Sequence, residues 1–254
     1  MDGEPSDGTD DGDPPNADGD RARGDGGPAP DDADDPDPAV DPHTQRTSVR
    51  DGYDAMAATY RDERGGDGTP ERPFVESFLA DLSAGDRLLD AGCGQGTPVL
   101  NRLPAGVEGV GIDLSASMLD LARERTDAAL VRGDLTGLPL APDAVDAVTA
   151  LHSVIHVPVS EHPTVFGEFA RVLRPGGRLY LTAATDEEGW AGANPDWLDS
   201  GELMAWSFPG LDTTREQLRH AGFRVTDERV LGDTVADDDD GGSWTHLFAR
   251  LAGE

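Results

Sequence analysis

Apolar and polar positions follow two different spacings along this chain, and together they predict an α/β sheet. Short apolar runs predict buried strands at 87–90, 107–112, 129–132, 145–151 and 178–183. Apolar residues at helical spacing predict helices before and between these strands, including one that begins just beyond Gly96 and one from Ser115 to Arg125. This βαβαβ rhythm is typical of a doubly wound, parallel sheet with helices on both faces.

The end of the chain departs from this rhythm. A helix over 214–221 is predicted to end at Gly222 in a left-handed cap. Two strand-like runs follow, 223–230 and 244–251, and only an acidic loop that contains Asp237–Asp240 separates them. Strands joined directly by a loop pair antiparallel, so we predict a mostly parallel, Rossmann-like sheet that finishes with antiparallel pairing.

Composition divides the chain into a tail and one domain. Residues 1–46 hold fifteen acidic residues against three arginines and scarcely any large apolar side chain. Such a segment cannot bury enough surface to offset the entropy of ordering, so we predict a disordered acidic tail. Residues 47–254 suit a single α/β domain. Within it, the tryptophan-rich stretch 186–212 is predicted to be either a lid over an apolar acceptor or a structural cover on the sheet edge.

Charge narrows the setting and the partners. The 254 residues carry 51 acidic against 20 basic side chains, for a net charge of −31, and every basic residue is arginine. This favours a high-salt cytoplasm, in which salt screens self-repulsion, over an ordinary acidic cytosol. It also disfavours nucleic acid as a partner, because no basic stripe neutralises phosphates. The start lacks a signal peptide's features and no apolar run is long enough to cross a bilayer, so we expect a cytoplasmic protein without membrane contact.

The first candidate site is the turn Asp90-Ala-Gly-Cys-Gly-Gln-Gly96, directly after the first predicted strand. Gly92, Gly94 and Gly96 remove side chains there, so a ligand would lie against bare backbone. A helix beginning beyond Gly96 would add amide donors. Taken alone, the turn is equally consistent with a tight turn that binds nothing.

Two more acids extend this candidate site. Asp113 ends the second predicted strand, where its carboxylate would accept both hydroxyls of a ribose or would cap the next helix instead. Asp134 follows the third strand and would accept from an exocyclic amine. Acids at the carboxyl ends of three successive strands line one crevice of an α/β sheet. The Gly-x-Gly-x-Gly spacing differs from the dinucleotide pattern Gly-x-Gly-x-x-Gly, which speaks against a nicotinamide-dependent oxidoreductase.

These motifs resemble those of the class I S-adenosylmethionine-dependent methyltransferases, in the group that acts on small molecules. The turn 90–96 is similar to that family's first motif, 111–115 to the second, 133–139 with Asp146 to the third, and 168–179 to the helix and turn before the fifth strand. The resemblance covers about residues 49–251. It implies a Rossmann-like, doubly wound, seven-stranded sheet with an antiparallel C-terminal strand, and S-adenosyl-L-methionine as the cofactor.

The resemblance also implies roles for individual residues. Asp113 would take the ribose hydroxyls, with Leu114 and Met118 packing near the adenine. Asp134 would accept from the adenine amine, with Leu135 beside it. The residues implied to bind the cofactor are Asp90, Gly92, Gly94, Gly96, Asp113, Leu114, Met118, Asp134, Leu135 and Leu151.

The part of the candidate site that would bind the acceptor follows the fourth predicted strand. The resemblance implies that the carbonyl of Leu151 faces the cofactor's ammonium group and that residues just beyond it meet the acceptor. His156 is the best candidate for a base or an orienting group, and simple packing is the alternative. The residues that would form a lid or contact the acceptor are Tyr53, Tyr60, His152, Trp190 and Trp197.

Three other patterns carry no site. His152, His156 and His162 lack the glutamate of a zinc-protease motif, and Pro158 and Pro163 disrupt a shared helix, so no metal is expected. The sole cysteine, Cys93, forms neither an intramolecular disulfide nor a thiolate cluster. Residues 194–197 are similar to the tetrad of amino-methylating nucleic-acid enzymes, but they follow the fifth strand and not the fourth.

The sequence therefore predicts methyl transfer from S-adenosylmethionine to an unidentified, small-molecule acceptor. The first alternative is a regulator that binds the cofactor without catalysis, and the second is the oxidoreductase disfavoured above. The sequence leaves open the acceptor, the atom that is methylated, the need for a base, the oligomeric state and the role of the acidic tail.

Overall fold

The computed structural model describes residues 41–64, 69–232 and 243–253. Its helices are α1 (Pro42–Arg64), α2 (Arg72–Leu79), α3 (Ala116–Arg123), α4 (His162–Val172) and α5 (Leu211–His220). Its strands are β1 (Arg87–Ala91), β2 (Glu108–Asp113), β3 (Ala129–Arg132), β4 (Val145–Ala150), β5 (Leu173–Ala184), β6 (Trp190–Asn194), β7 (Met204–Phe208), β8 (Phe223–Gly232) and β9 (Ser243–Leu251).

Seven strands form one sheet in the order β3-β2-β1-β4-β5-β9-β8. The pairs from β3 to β5 are parallel, whereas β9 lies antiparallel between β5 and β8. The predicted fold class, with its five parallel strands and antiparallel end, is confirmed. Helix α5 ends before Gly222, whose φ of +95° is left-handed as predicted.

Helices bury apolar surface on both faces of this sheet. Phe166 and Phe169 of α4 pack in one cluster with Leu89 and Val148. Val75 and Phe78 of α2 pack in the other, against the opposite face of β1 and β4. Strands β1 and β4 are thus covered on both sides, which explains why they are continuous apolar runs rather than alternating ones.

The helix predicted just beyond Gly96 is absent, which corrects the sequence analysis. Between Gly96 and β2 the structure has turns and one short 3-10 segment, Leu100–Arg102. Pro98 has no amide to donate, and Leu103 is extended (φ −56°, ψ 134°) because it precedes Pro104. The prolines leave too few residues for an α-helix, so no helix end supplies amide donors beside the glycine turn.

Strand β5 begins at Leu173, five residues earlier than predicted. Leu173 pairs with Val145 and Arg178 with Ala147, so the partner strand advances two residues while β5 advances five. The run Arg174–Gly177, expected to be a free turn, is therefore an irregularity inside the strand. Gly176, with a φ of +78°, supplies the left-handed conformation there.

The N-terminal boundary at residue 46 is also corrected, because α1 begins at Pro42. The carboxylate of Asp41 accepts the backbone N–H of Thr44 at 3.0 Å, which caps the helix. The helix is held in place by Gln45, whose buried side chain donates to the carbonyl of His156 at 3.1 Å. Residues 1–40 of the predicted tail, and the acidic loop Asp237–Asp240, lie outside the described residues.

The stretch 186–212 contains a feature that the sequence did not predict. Strands β6 and β7 form a separate antiparallel hairpin, paired from Trp190 with Phe208 to Asn194 with Met204. The residues 194–197 that were set aside in the sequence analysis lie where β6 ends and its connection to β7 begins. Across the described part of the chain, no helix is both long and apolar enough to span a membrane.

Candidate cofactor and acceptor site

The glycine turn after β1 needs glycine for two different reasons. Gly92, Gly94 and Gly96 all have left-handed φ values, of +75°, +51° and +82°. A Cβ at Gly92 would lie 2.2 Å from Cβ of Ser153, in the segment after β4. A Cβ at Gly94 would meet nothing within 4 Å. Gly92 therefore permits the turn to pack on the next loop, whereas Gly94 presents bare backbone to open space.

Asp113 links this turn to the next helix. One carboxylate oxygen accepts the N–H of Gly94 at 2.8 Å, and the other accepts the N–H of Ser115 at 2.9 Å. Ser115 in turn caps α3, as predicted, by accepting the N–H of Met118 at 3.1 Å. Each carboxylate oxygen keeps a second lone pair. Asp113 can therefore hold the glycine turn in place and still accept hydrogen bonds from ribose hydroxyls, as predicted.

Asp90 and Asp113 lie close enough to interact electrostatically, and burial affects the pKa of both carboxyl groups. Asp90 is 4% exposed and accepts a hydrogen bond of 2.7 Å from Thr149. Burial, and to a lesser extent the charge of Asp113, raise the pKa of Asp90 to about 7. Burial also raises the pKa of Asp113. Within the described residues neither acid has a basic partner, so the pair would be stabilised by a positively charged ligand.

Asp134 lies beyond β3, and α1 already engages it. Its carboxylate accepts the N–H of Thr136 at 2.8 Å and pairs with Nε of Arg46 at 2.8 Å. Arg46 also pairs with Glu161. Arg46 was not predicted as a site residue because residue 46 was assigned to the tail, although Asp41 followed by Pro42 is a helix-start signal. A ligand amine at Asp134 would have to share this carboxylate with Arg46.

The apolar residues of the implied cofactor site lie beside these acids. Met118 is buried in α3, and Leu135 is buried just past Asp134. The carbonyl of Leu114 accepts a hydrogen bond of 2.9 Å from Arg132. Leu151 follows β4 and packs against the core of the α2 face. The contacts of these four residues with a cofactor stay predictions.

Helix α1 is also tied to the start of α3. Asp54, a residue that sequence analysis did not single out, accepts from Oγ of Ser115 at 2.6 Å and from the N–H of Ser117 at 3.0 Å. Asp54 lies on α1, so this helix crosses directly over the end of β2 that carries Asp113. The predicted covering role of α1 therefore has a defined anchor on the cofactor side.

His156 joins α1 to the hairpin. Its Nδ1 lies 3.1 Å from the carbonyl oxygen of Ala205. Because a carbonyl oxygen can only accept a hydrogen bond, the proton is assigned to Nδ1. Its Nε2 then accepts from the hydroxyl of Tyr53 at 2.9 Å. Burial lowers the pKa of His156 to about 4. Both ring nitrogens of this neutral histidine are occupied, and its role as a base stays a prediction.

Three of the predicted lid residues form one aromatic cluster. The Tyr53 ring lies 5.7 Å from that of Tyr60 and 6.0 Å from that of Trp197, edge to face in both pairs. Trp197 is only 7% exposed. Trp190 lies apart from them and packs on Phe208, with ring centroids 5.5 Å apart. Helix α1 and the hairpin therefore form one cap, which we call the aromatic cap: α1, β6, β7 and their connection.

His152 occupies a different position from His156. Its backbone is left-handed (φ +50°), and its N–H donates to Oγ1 of Thr182 at 2.7 Å. Its Nε2 lies 3.3 Å from a carboxylate oxygen of Glu71, and its ring meets the edge of Trp244 at 5.0 Å. Nothing in the sequence indicated that Glu71, at the start of α2, would reach the segment after β4.

The third histidine of the group is built into the fold. Nε2 of His162 donates to the carbonyl of Val157 at 2.9 Å, and the ring is buried. Among the described side chains, no three His, Cys, Asp or Glu residues come together as metal ligands.

Comparison with known proteins agrees with this geometry. Residues 89–181 match the family model described as "Methyltransferase domain". Over 108 residues the chain is 42% identical to 27-O-demethylrifamycin SV methyltransferase of Amycolatopsis mediterranei, and the match covers 39% of each protein. The chain spans less than half the length of the curated relatives it matches.

Solved structures give the same fold. The 1,6-didemethyltoxoflavin-N1-methyltransferase of Burkholderia thailandensis, solved with S-adenosylhomocysteine, superposes with a TM-score of 0.65 at 20% identity and covers 85% of this chain and 92% of that one. The [4+2]-cyclase SpnF superposes with a TM-score of 0.65 at 21% identity, covering 87% and 100%. Residues 89–181 are therefore similar to a methyltransferase domain, and the fold of the chain is the one seen in S-adenosylmethionine-dependent methyltransferases.

Proposed function

We propose that this protein transfers the methyl group of S-adenosylmethionine to a small-molecule acceptor. The observation that carries the proposal is the open face of Gly94 beside the buried Asp90 and the half-buried Asp113, which lack a basic partner in the described structure. S-adenosylmethionine carries a sulfonium and an ammonium group, and both would be stabilised there. Its ribose hydroxyls match the remaining lone pairs of Asp113.

The aromatic cap supplies the conditions that methyl transfer needs. The reaction is an in-line displacement at the sulfonium methyl group, so alignment of the acceptor and exclusion of water provide much of the rate. Tyr53 and Trp197 pack together above the carboxyl edge of the sheet, and Tyr53 is fixed to His156. A closed cap of this kind would hold an acceptor against the donor and keep water out.

The aromatic rings near His152 favour an apolar, planar acceptor. Trp244 meets the His152 ring, and Phe208 meets Trp244 with ring centroids 6.2 Å apart. Rings of this size favour flat partners that stack or meet them edge to face. The two methyltransferases named above act, by their names, on 27-O-demethylrifamycin SV and on 1,6-didemethyltoxoflavin, which supports a small-molecule acceptor for this chain without identifying the compound.

The proposal is tested in two steps with the full chain. Calorimetry is run first with S-adenosylmethionine, S-adenosylhomocysteine and NAD, and we expect the first two to bind. The enzyme is then incubated with trideuteromethyl-labelled donor and a metabolite extract, and mass spectrometry searches for a labelled product. Gly94→Ala is the matched variant, because it alters the turn at the open face and should lose binding. Binding of NAD alone would refute the proposal.

A regulator that binds the donor without methyl transfer is the second candidate. One structure with this fold is named a [4+2]-cyclase, so the fold also serves proteins named for another reaction. Donor binding without any labelled product would favour this second candidate.

We also propose that the protein works in a high-salt cytoplasm and binds neither nucleic acid nor a membrane. The support is the net charge of −31 with arginine as the sole basic residue. Salt of molar concentration would screen the repulsion among these acids. The same charge repels phosphate backbones and anionic lipid surfaces.

A further inference from the structure

We propose that His152, oriented by Glu71, is the general base of the reaction, and that the acceptor is a planar molecule whose nucleophilic oxygen or nitrogen carries a proton. The inference rests on the proposed function and assigns it a proton-accepting group. It differs from the sequence-based expectation, which placed His156 in that role.

The first support is the position of His152 beside the cofactor turn. The next residue, Ser153, donates to the carbonyl of Ala91 at 2.7 Å and packs where a Gly92 side chain would be. His152 is thus one residue away from direct contact with that turn. Its left-handed backbone is uncommon outside glycine, and the hydrogen bond to Thr182 holds it. Such held conformations are concentrated at functional sites.

The second support is the state of the imidazole. The His152 side chain is 34% exposed, so a ligand can reach it, whereas both ring nitrogens of His156 are already bonded, to Tyr53 and to Ala205. Nε2 lies 3.3 Å from a carboxylate oxygen of Glu71, so this carboxylate favours a proton on Nε2. Within the described residues, Nδ1 makes no hydrogen bond. A carboxylate that fixes the protonated nitrogen in this way leaves the other nitrogen to accept a proton.

The third support is the charge of Glu71. Its side chain is 15% exposed, and although burial alone would raise its pKa, the interaction with His152 holds that pKa below its usual value. Glu71 is therefore ionised at neutral pH. The other titratable groups that interact with this pair are His156, Tyr180 and His246, and Arg229 in turn acts on Tyr180.

These neighbours leave Glu71 as the carboxylate that acts on His152. Burial lowers the pKa of His246 to about 4 and raises that of Tyr180, so both are neutral at pH 7. Tyr180 and His246 lie 2.7 Å apart, hydroxyl to Nδ1, and satisfy each other. Arg229 stacks over the ring of Phe74, with its guanidinium carbon 5.0 Å from the ring centroid.

The fourth support is the aromatic path that leads to His152. The rings of Trp244, Phe208 and Trp190 follow one another from His152 toward the hairpin, at centroid distances of 6.2 Å and 5.5 Å. A flat acceptor lying along this path would bring a ring substituent to the imidazole. Phenols, enols and ring N–H groups are such substituents, and each loses a proton on methylation.

The step balances as follows. The lone pair of the acceptor's oxygen or nitrogen forms a bond to the methyl carbon, and the carbon–sulfur bond of the sulfonium breaks, with its electrons staying on sulfur. The acceptor's proton passes to Nδ1 of His152 and then to solvent, which reaches the partly exposed ring. The products are the methylated acceptor, S-adenosylhomocysteine and one proton.

The first test measures the tautomer of His152 in the full chain saturated with S-adenosylhomocysteine. Nitrogen chemical shifts of ¹⁵N-histidine-labelled protein report which ring nitrogen carries the proton, and His152→Asn identifies the signal. We expect the Nε2–H form in the wild type and a mixture of both forms in Glu71→Gln. A wild-type Nδ1–H form, or no change in Glu71→Gln, would overturn the proposal.

The second test measures turnover of the acceptor found in the labelled-extract experiment. We expect His152→Asn to lower kcat/KM by about 100-fold or more while the donor Kd stays within about twofold. Glu71→Gln should lower kcat more than it alters KM, because Glu71 is a positioning residue. The exposed His220→Gln is the control with wild-type turnover.

The outcomes separate this inference from the function on which it rests. If His152→Asn turns over like the wild type, the base assignment is wrong and the proposed function stands. If the wild type binds no donor, the proposed function fails. If donor binds but the extract yields no product, the tautomer measurement alone decides whether Glu71 presents Nδ1 of His152.

Discussion

The glycine turn allows one sharp prediction, because two neighbouring glycines should fail for different reasons. In Gly92→Ala, the new Cβ would lie 2.2 Å from Cβ of Ser153, so the segment after β4 must shift. Forcing alanine into a φ of +75° costs about 1–2 kcal/mol. Overpacking adds about 1–3 kcal/mol. We therefore expect a loss of about 2–5 kcal/mol in the free energy of unfolding.

Gly94→Ala is the matched variant. Its φ of +51° carries a similar backbone cost of about 1–2 kcal/mol, but nothing lies within 4 Å of the new Cβ. The loss in the free energy of unfolding should therefore not exceed this backbone cost. If the open space beside Gly94 holds the methyl donor, the same Cβ will meet the ligand instead of the protein, and donor affinity will fall about tenfold or more.

The assay combines unfolding with binding. Guanidinium titration gives the free energy of unfolding, and thermal unfolding should show a fall in Tm of about 2–4 °C for each kcal/mol lost. Calorimetry with S-adenosylhomocysteine then gives donor-site affinity for each folded variant. Gly92→Ala should have the lower free energy of unfolding. Gly94→Ala should be the more stable variant and should nevertheless bind S-adenosylhomocysteine more weakly than the wild type.

Either of two results would refute this reasoning. Wild-type affinity in Gly94→Ala would mean that no ligand approaches that backbone. Equal destabilisation in both variants would mean that the contact with Ser153 does not limit the turn, and that the backbone conformation alone explains the need for glycine.

Three further predictions follow from buried polar groups and from charge. Burial raises the pKa of Asp90 from 3.8 to about 7, so the folded state favours the protonated acid. The wild type should therefore lose stability relative to Asp90→Asn as the pH rises from about 4 to 7. Denaturant titrations at each pH that give a constant difference in the free energy of unfolding between the two proteins would exclude this pKa shift. Tyr53→Phe leaves Nε2 of the half-buried His156 without its donor, and denaturant titration should show a loss of about 1–3 kcal/mol in the free energy of unfolding; an unchanged midpoint would mean that this hydrogen bond contributes nothing. The Tm should rise as potassium chloride is raised over a molar range, since salt screens the net charge of −31, and a flat response would contradict the high-salt assignment.

The sheet was predictable because its signals are local. Each parallel strand is a short apolar run, and β3 begins and ends at the predicted residues, Ala129 and Arg132. The antiparallel end followed from the fact that only a loop separates β8 from β9. Burial on both faces makes such runs visible without any knowledge of what covers them.

The errors have equally physical causes. The helix after Gly96 was expected from the usual rhythm, but Pro98 and Pro104 remove the donors and conformations that it needs. The hairpin β6–β7 was missed because nine residues separate its strands and no short turn marks the register. The start of α1 was missed because composition was weighed above the local signal of Asp41 and Pro42.

The site itself was predictable only in part, because half of it comes from distant chain segments. Gly92, Gly94 and Asp113 are visible as a motif, and the structure joins Gly94 to Asp113 by a hydrogen bond. Arg46 reaches Asp134, and Glu71 reaches His152, across 88 and 81 positions of sequence. Pairings at such separations depend on the folded topology, and no spacing rule within one sequence reveals them.

Helix α1 connects the donor and acceptor halves of the candidate site. Arg46 pairs with Asp134, Asp54 binds the start of α3 beside Asp113, and Tyr53 binds His156 and the hairpin. One rigid helix therefore holds groups at the ends of β2 and β3 and in the segment after β4. Because the same helix contacts both halves, a donor that displaces Arg46 from Asp134 would also act on the position of Tyr53. Closure over the acceptor would then depend on whether the donor is bound.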